Sequence, residues 1–222
     1  MPIAKGDFVE IDYTGRVKDS GLIFDTTREE DAKSQGIGDE NAKYGPVIVC
    51  IGEGQLLRGL EAFLEGKEPG KYQVLLAPED AFGRKNAKYF QLMSLAKFKD
   101  QQVQPVPGLQ VNIDGMYGVV KSVSGGRVVV DFNHPLAGRE LEYEIEAHRI
   151  ITEPKEKLDS FLRFYFSQSA SSITDGAATI TVKSDVPKPL QDKLCGEITR
   201  LMPEISSVSF ISEAPNETKP QA

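Results

Sequence analysis

The sequence predicts an α+β protein, and three observations carry that prediction. Apolar and polar residues alternate at period two through much of residues 8–152, as they do in strands with one buried face. Shorter segments space their apolar residues by three and four, as amphipathic helices do. Beyond Pro154 the two patterns follow each other as α-β-α-β.

Taken in order, Phe8–Val17 alternates with period two, and Asp19-Ser20-Gly21 turns the chain into Leu22-Ile23-Phe24-Asp25, an antiparallel opening. Between Thr26 and Pro46 lies a polar excursion with Glu29-Glu30-Asp31 and Asp39-Glu40, read as a solvated loop or short helix whose charges have no special role. Pro46–Ile51 is a β-branched strand that Gly52-Glu53-Gly54 breaks. Leu56, Leu57, Leu60, Phe63 and Leu64 then mark a short helix, ended by Gly66 and Pro69-Gly70. Lys71–Leu76 is the next strand, and Pro78 opens a loop through Phe82-Gly83. From about Arg84 to Val130 the chain changes character. Phe90, Leu92, Met93, Leu95 and Phe98 are followed by Met116–Val120 and Arg127–Val130, a hairpin closed by Gly125-Gly126. Asp131-Phe132-Asn133-His134-Pro135-Leu136-Ala137-Gly138 is a turn that delivers the chain into a strand with Leu141, Tyr143 and Ile145 on one face. After the Glu153-Pro154-Lys155 boundary come a helix with Leu158, Phe161, Leu162, Tyr165 and Phe166, a strand Ala178–Val182, a helix from Pro187 through Leu201, and a strand Val208–Ile211. Residues 213–222 read as a frayed tail.

Composition narrows the function. The chain has 222 residues, 40% hydrophobic, enough for real cores. Its 33 acidic residues against 26 basic ones give a net charge of -7, which repels phosphates and speaks against nucleic acid as a partner. Charged residues Lys5, Asp7, Glu10 and Asp12 interrupt the N-terminus where a secretory signal needs an apolar run, and no stretch reaches spanning length, so a cytoplasmic protein without membrane contact is expected. Cys50 and Cys195 read as buried free thiols rather than a disulfide, and two Cys with two His make no zinc spacing.

Conventional catalytic constellations fail in turn. His134 reads as a turn residue, without a nucleophile or second ligand at useful spacing. Gly52-Glu53-Gly54 brushes against a dinucleotide fingerprint, but the third glycine is misplaced and Glu53 would repel a pyrophosphate. Glu79-Asp80 fits a solvated loop better than an acid-base pair. Any chemistry here needs no nucleophile, metal or cofactor. Prolyl isomerisation is such a reaction, because its barrier comes from the double-bond character of the amide C–N bond.

Tyr13-Thr14-Gly15, Phe24-Asp25, Gly52-x-Gly54-x-Leu56-Leu57-x-Gly59-Leu60-Glu61, Ala81-Phe82-Gly83 and Asn133-His134-Pro135-Leu136-Ala137-Gly138 occur in the order and spacing of FKBP-type peptidyl-prolyl isomerases. Over residues 1–152 the chain resembles that family, and its SlyD-like members in particular. The resemblance implies an antiparallel sheet wrapped on the helix near Leu56 to Leu64, formed by residues 1–85 and 131–152. It implies a β-rich chaperone domain inserted in the flap over residues 86–130. Residues 153–222 resemble the extra C-terminal region of long archaeal members. The implied pocket has Tyr13, Phe24, Leu56, Leu57, Leu136 and Tyr143 as walls, Leu60 as floor, Asp25 as its buried polar group, Phe82 at its rim, and the Leu57 amide meeting a substrate carbonyl. The bland reading of the same apolar residues is ordinary core. Phe82 replaces a frequent Tyr and Leu60 an indole, which removes a hydroxyl donor and puts macrolide binding in doubt. Phe90, Leu92, Met93, Phe98, Met116 and Tyr117 are the implied contacts for unfolded chains containing proline, about half of them being needed for the insert's own core. Ser94 stands where a proline is common, and the His/Cys-rich tail of SlyD is absent. The rival reading is a holdase with an inactive pocket, motivated by Phe82.

The C-terminal region shows two recognisable strands, too few to cover an apolar face in a monomer. A homodimer through this region is therefore expected, with Phe161, Phe164, Tyr165, Ile180, Val182, Val208 and Phe210 as core and interface; the alternative is that the region packs against the isomerase-like domain of its own chain.

Overall fold

A computed structural model describes residues 1–38, 42–100 and 102–212. The expected tail and the Asp39-Glu40 pair lie outside the described residues. The alternating opening forms β1 (Phe8–Val17), burying Phe8, Val9, Ile11 and Val17, and the chain turns into β2 (Ile23–Thr26). Helix α1 (Glu29–Ser34) occupies the acidic excursion. The β-branched run forms β3 (Val47–Cys50), antiparallel to β1 with Phe8 opposite Cys50 and Ile11 opposite Val47. Helix α2 (Arg58–Leu64) buries Leu60 and Leu64, one turn apart on one face, and β4 (Gly70–Leu76) follows.

The middle of the chain holds β5 (Phe90–Ser94), α3 (Leu95–Asp100), β6 (Gln110–Ile113), β7 (Met116–Ser124) and β8 (Arg127–Asp131). The long β9 (Leu141–Ile151) then buries Leu141, Tyr143, Ile145 and Ala147 at alternate positions. The remainder comprises α4 (Pro154–Arg163), β10 (Ser169–Thr174), β11 (Ala177–Val182), α5 (Lys188–Leu201) and β12 (Ser207–Ser212). Sheet order is β2-β1-β9-β4 with β3 also on β1, β5-β8-β7-β6, and β10-β11-β12, confirming the mixed α+β class with largely antiparallel sheets. Two compact units result: Met1–Gly15 with Ile23–Val74 and Tyr143–Ala222, and Arg16–Leu22 with Leu75–Glu142.

In the first unit, the C-terminal region differs from expectation in two ways. Its sheet has three strands: β10 pairs antiparallel with β11, and β12 joins β11 in parallel after the α5 crossover. Strand β10 reads Ser-Ala-Ser-Ser-Ile-Thr, without the β-branched or aromatic run that announces a strand. Second, its apolar face is covered by its own chain. Leu158, Phe161, Leu162, Ile180, Leu194 and Ile198 share one cluster with Phe8, Cys50 and Ile151, and Ile48 packs against it. Of the residues expected at an interface, Phe161, Ile180 and Val182 are buried in that cluster and Val208 and Phe210 pack on it; Phe164 and Tyr165 are exposed.

In the second unit, the core comprises Phe98, Val120, Val128 and Val130, with Met93, Leu109, Val111 and Phe132 packed around them. Gly118 makes this possible, since a Cβ there would stand 2.7 Å from the Phe132 ring and 2.8 Å from Val130. The strands leading in and out are clamped together. Asn86 N–H donates to Asn133 Oδ1 at 2.7 Å, Phe132 N–H to the Tyr89 carbonyl at 2.9 Å, and Lys85 Nζ to Asp131 Oδ2 at 2.6 Å.

Candidate active site

Aromatic side chains from three strands converge in the first unit. Tyr143 is 3% exposed on the buried face of β9, and the Tyr13 ring lies 6.1 Å from it, tilted by 51°. Phe24 of β2 meets Tyr143 edge-on at 5.8 Å. The space between them exists because residue 15 is glycine: a Cβ there would lie 2.8 Å from Tyr143 Cε1 and 2.9 Å from Phe24 Cζ. Tyr13 Oη donates a 3.1 Å hydrogen bond to Asp25 Oδ2. Burial first, then the nearby Asp25 charge, raises both phenols above their ordinary value, so Tyr13 and Tyr143 stay protonated at neutral pH.

Asp25 departs from expectation. It is exposed, in the edge strand β2, so it is an exposed acceptor for Tyr13 and not the buried polar group that the resemblance implied.

The backbone on either side of Tyr13 is held by groups that the sequence reading passed over. Thr14 is fully buried and donates to Asp31 Oδ2 at 2.7 Å, so one of the acids dismissed as solvated is a fixed acceptor. Thr27 Oγ1 accepts from the Tyr13 N–H at 3.0 Å and donates to Asp12 at 2.6 Å. The available signal was the Thr14 position itself: an inward hydroxyl on a buried strand needs a partner.

The segment before α2 is pinned in the same way. Gln55 Oε1 accepts from the Cys50 N–H at 2.7 Å, and Glu61 Oε1 accepts from the Gly54 N–H at 3.0 Å. Leu56 and Leu57 are half-buried in this segment, and Leu60 of α2 is 1% exposed. Leu57 precedes the helix, and its carbonyl accepts from the Leu60 and Glu61 amides at 2.8 and 3.1 Å. Its own N–H has no partner among the described residues, as suits a group kept for an incoming carbonyl.

Phe82 and Leu136 lie in the second unit. Phe82 stacks on His134 at 4.3 Å and 7°, and His134 Nδ1 accepts the Leu136 N–H at 3.2 Å, so this histidine is a turn residue that orients both neighbours. Among the expected chain-binding residues, Phe98 is 4% exposed in the unit's core and Met93 packs on that core, so Phe98 has no surface to offer. Phe90, Leu92, Met116 and Tyr117 are 39%, 61%, 47% and 78% exposed.

Known proteins with related sequences account for this arrangement. Residues 2–101 match the family described as FKBP-type peptidyl-prolyl cis-trans isomerase, and residues 91–136 match the description "FKBP26, IF domain". The chain is 32% identical over 149 residues to the short-type peptidyl-prolyl cis-trans isomerase of Methanocaldococcus jannaschii, covering 67% of this chain and 94% of that protein. It is 31% identical over 134 residues to the FKBP-type 16 kDa peptidyl-prolyl cis-trans isomerase of Escherichia coli, covering 58% and 89% respectively. It is 33% identical over 151 residues to the FKBP-type peptidyl-prolyl cis-trans isomerase SlyD of Pasteurella multocida, covering 66% and 68%. With the strand, helix and aromatic geometry above, these similarities show that the chain belongs to the FKBP-type peptidyl-prolyl cis-trans isomerase family.

Proposed function

We propose that this protein catalyses prolyl cis/trans isomerisation in unfolded or partly folded polypeptides and holds those chains through its second unit. The observation that carries the catalytic part is the Tyr13, Phe24 and Tyr143 cluster, in the same unit as a Leu57 amide that has no partner among the described residues. The planar amide is charge-separated and favoured by water, and rotation costs roughly 18–20 kcal/mol. An apolar aromatic surface disfavours that charge separation, while the Leu57 N–H holds the carbonyl before the prolyl bond. The Tyr13 hydroxyl, oriented by Asp25, is a second fixed dipole. No covalent step or cofactor is required.

The holding part is supported by Phe90, Leu92, Met116 and Tyr117, exposed apolar side chains on the sheet over residues 86–130, which we read as a SlyD-like inserted-in-flap domain in a chain of the long archaeal type. A cytoplasmic site of action fits the two free cysteines, and among the described residues no helix is long and apolar enough to cross a membrane.

We also propose homodimerisation through the C-terminal region, on the support of its sheet. The uncharged outer face of the three-stranded sheet, with Thr179, Thr181, Ser209 and the exposed Ile211, and its two open edges suit pairing with a second copy. Light scattering on the full chain at tens of micromolar decides it: a monomer ends this proposal.

Isomerase assays on a proline tetrapeptide and on a proline-limited refolding protein test the main reading. Tyr13→Phe removes the hydroxyl alone and is expected to lower kcat/KM about tenfold, and Asp25→Ala by a similar factor. Full activity in both folded variants would defeat the site assignment, and an inactive wild type would leave a pure holdase.

A further inference from the structure

We propose that the outer face of the four-stranded sheet in the second unit is a docking surface selective for polypeptide segments in which apolar residues are interspersed with Asp and Glu. This rests on the chaperone part of the proposed function and adds a charge preference to it. The first observation is charge segregation. Residues 86–130 contain five basic side chains and two acidic ones, a surplus of three positive charges in a chain whose net charge is -7. The insert is a cationic island on an acidic protein.

The second observation is where those charges stand. Register places Leu92 opposite Val129, Phe90 opposite Asp131, and Val119 opposite Asp131, so these residues share the face turned away from Phe98 and the core. Tyr117, two positions before Val119, shares it too. Arg127 shares this face by the same alternation, and Lys121 emerges at the bulge between Val120 and Ser122. The one carboxylate of this face, Asp131, is 4% exposed and already taken by Lys85 at 2.6 Å, with Lys121 at 3.9 Å. Arg127 is exposed and has no ion pair among the described residues. An apolar strip flanked by Arg127, which is free to pair, and by Lys121, which shares Asp131 with the much closer Lys85, is complementary to an acidic amphipathic chain and repels a basic one.

The same cations could suggest nucleic acid, but the face favours polypeptide. Its centre is aliphatic, with Leu92, Val119 and Val129, and few cations are available for phosphates. The rest of the molecule, carrying the acidic surplus, repels a polyanion that extends beyond the face.

The test is fluorescence anisotropy with full-length protein and three 15-residue peptides of the same apolar pattern, bearing Asp/Glu, Asn/Gln or Lys at the polar positions. At low salt the acidic peptide is expected to bind about tenfold tighter than the neutral one, the basic peptide weakest, and the differences should collapse in about 1 M salt. Lys121→Gln with Arg127→Gln should abolish the ranking while leaving the neutral peptide's affinity unchanged. Leu92→Ser should weaken all three. Equal affinity for the three peptides would overturn the charge preference while leaving the chaperone reading standing. Binding of none would remove both. A single-stranded oligonucleotide that binds as tightly and displaces the acidic peptide would overturn the proposal in favour of a general polyanion site.

Discussion

Gly15 does more for the aromatic cluster than any side chain in it. Its backbone is ordinary strand, so conformational freedom is not the reason for a glycine here; the reason is the 2.8 and 2.9 Å that a Cβ would leave to the Tyr143 and Phe24 rings. Gly15→Ala must push the two rings out of their edge-on contact. We expect it to cost about 1–3 kcal/mol by overpacking and to lower kcat/KM more than stability alone explains, measured by urea unfolding and the tetrapeptide assay. An alanine variant with unchanged kcat/KM would show that ring placement does not matter. Thr14 and Asp31 illustrate the same scale from the polar side, where one buried hydroxyl is satisfied by an acid from a helix of six residues.

At the scale of elements, residues 86–130 are closed off by paired strands whose polar contacts set their acid sensitivity. Burial pushes the Asp131 carboxyl up, but hydrogen bonds from Lys85 and from Asn133, side chain and backbone, outweigh it and hold it below the ordinary carboxylate value. A depressed folded-state value means stabilisation that is present above the unfolded value, about 3.9, and lost as pH falls through the lower folded one. Asp131→Asn should therefore weaken protection of β5 and β8 by about 1–2 kcal/mol at pH 7, and the gap to wild type should close as the pH falls below the ordinary carboxylate value, as read by hydrogen exchange. The same contacts also make the insert separable. Because Asn86 and Asn133 touch, replacing residues 86–130 by a short loop is expected to leave tetrapeptide turnover within about an order of magnitude while refolding of a whole protein falls much further, since tethering raises effective concentration. Equal losses on both substrates would contradict this division of labour.

At the scale of the whole molecule, the C-terminal region is part of the first unit's core. Cys50 reports on it: the thiol is fully buried, and burial first, then the Glu53 charge, pushes its pKa up to about 12. A chain ending at Thr152 uncovers Phe8, Ile48, Cys50 and Ile151. We expect a loss of roughly 3–6 kcal/mol of stability and a thiol that reacts within minutes with a disulfide reagent, against strong protection in the full chain. Continued protection of Cys50 in the truncated chain would mean that the C-terminal helices contribute little to this core.

Periodicity alone determined the α+β class and most strand and helix positions, because alternation and three-four spacing follow directly from which side of an element meets water. The resemblance marked Tyr13, Phe24 and Tyr143, whose rings meet beside Gly15. What the sequence could not decide was set by partners distant along the chain. Strand β10 forms because β11 offers a ladder to a weak strand sequence. Asp25 is exposed because β2 lies at a sheet edge, and Asp31 is not idle because Thr14 faces it. Phe98 and Leu92 look alike in a list of apolar residues, yet one closes a core and the other faces water. Local pattern fixes which residues can be buried; only the closed tertiary structure, in which each polar group must find a partner and each apolar face a cover, decides which of them are.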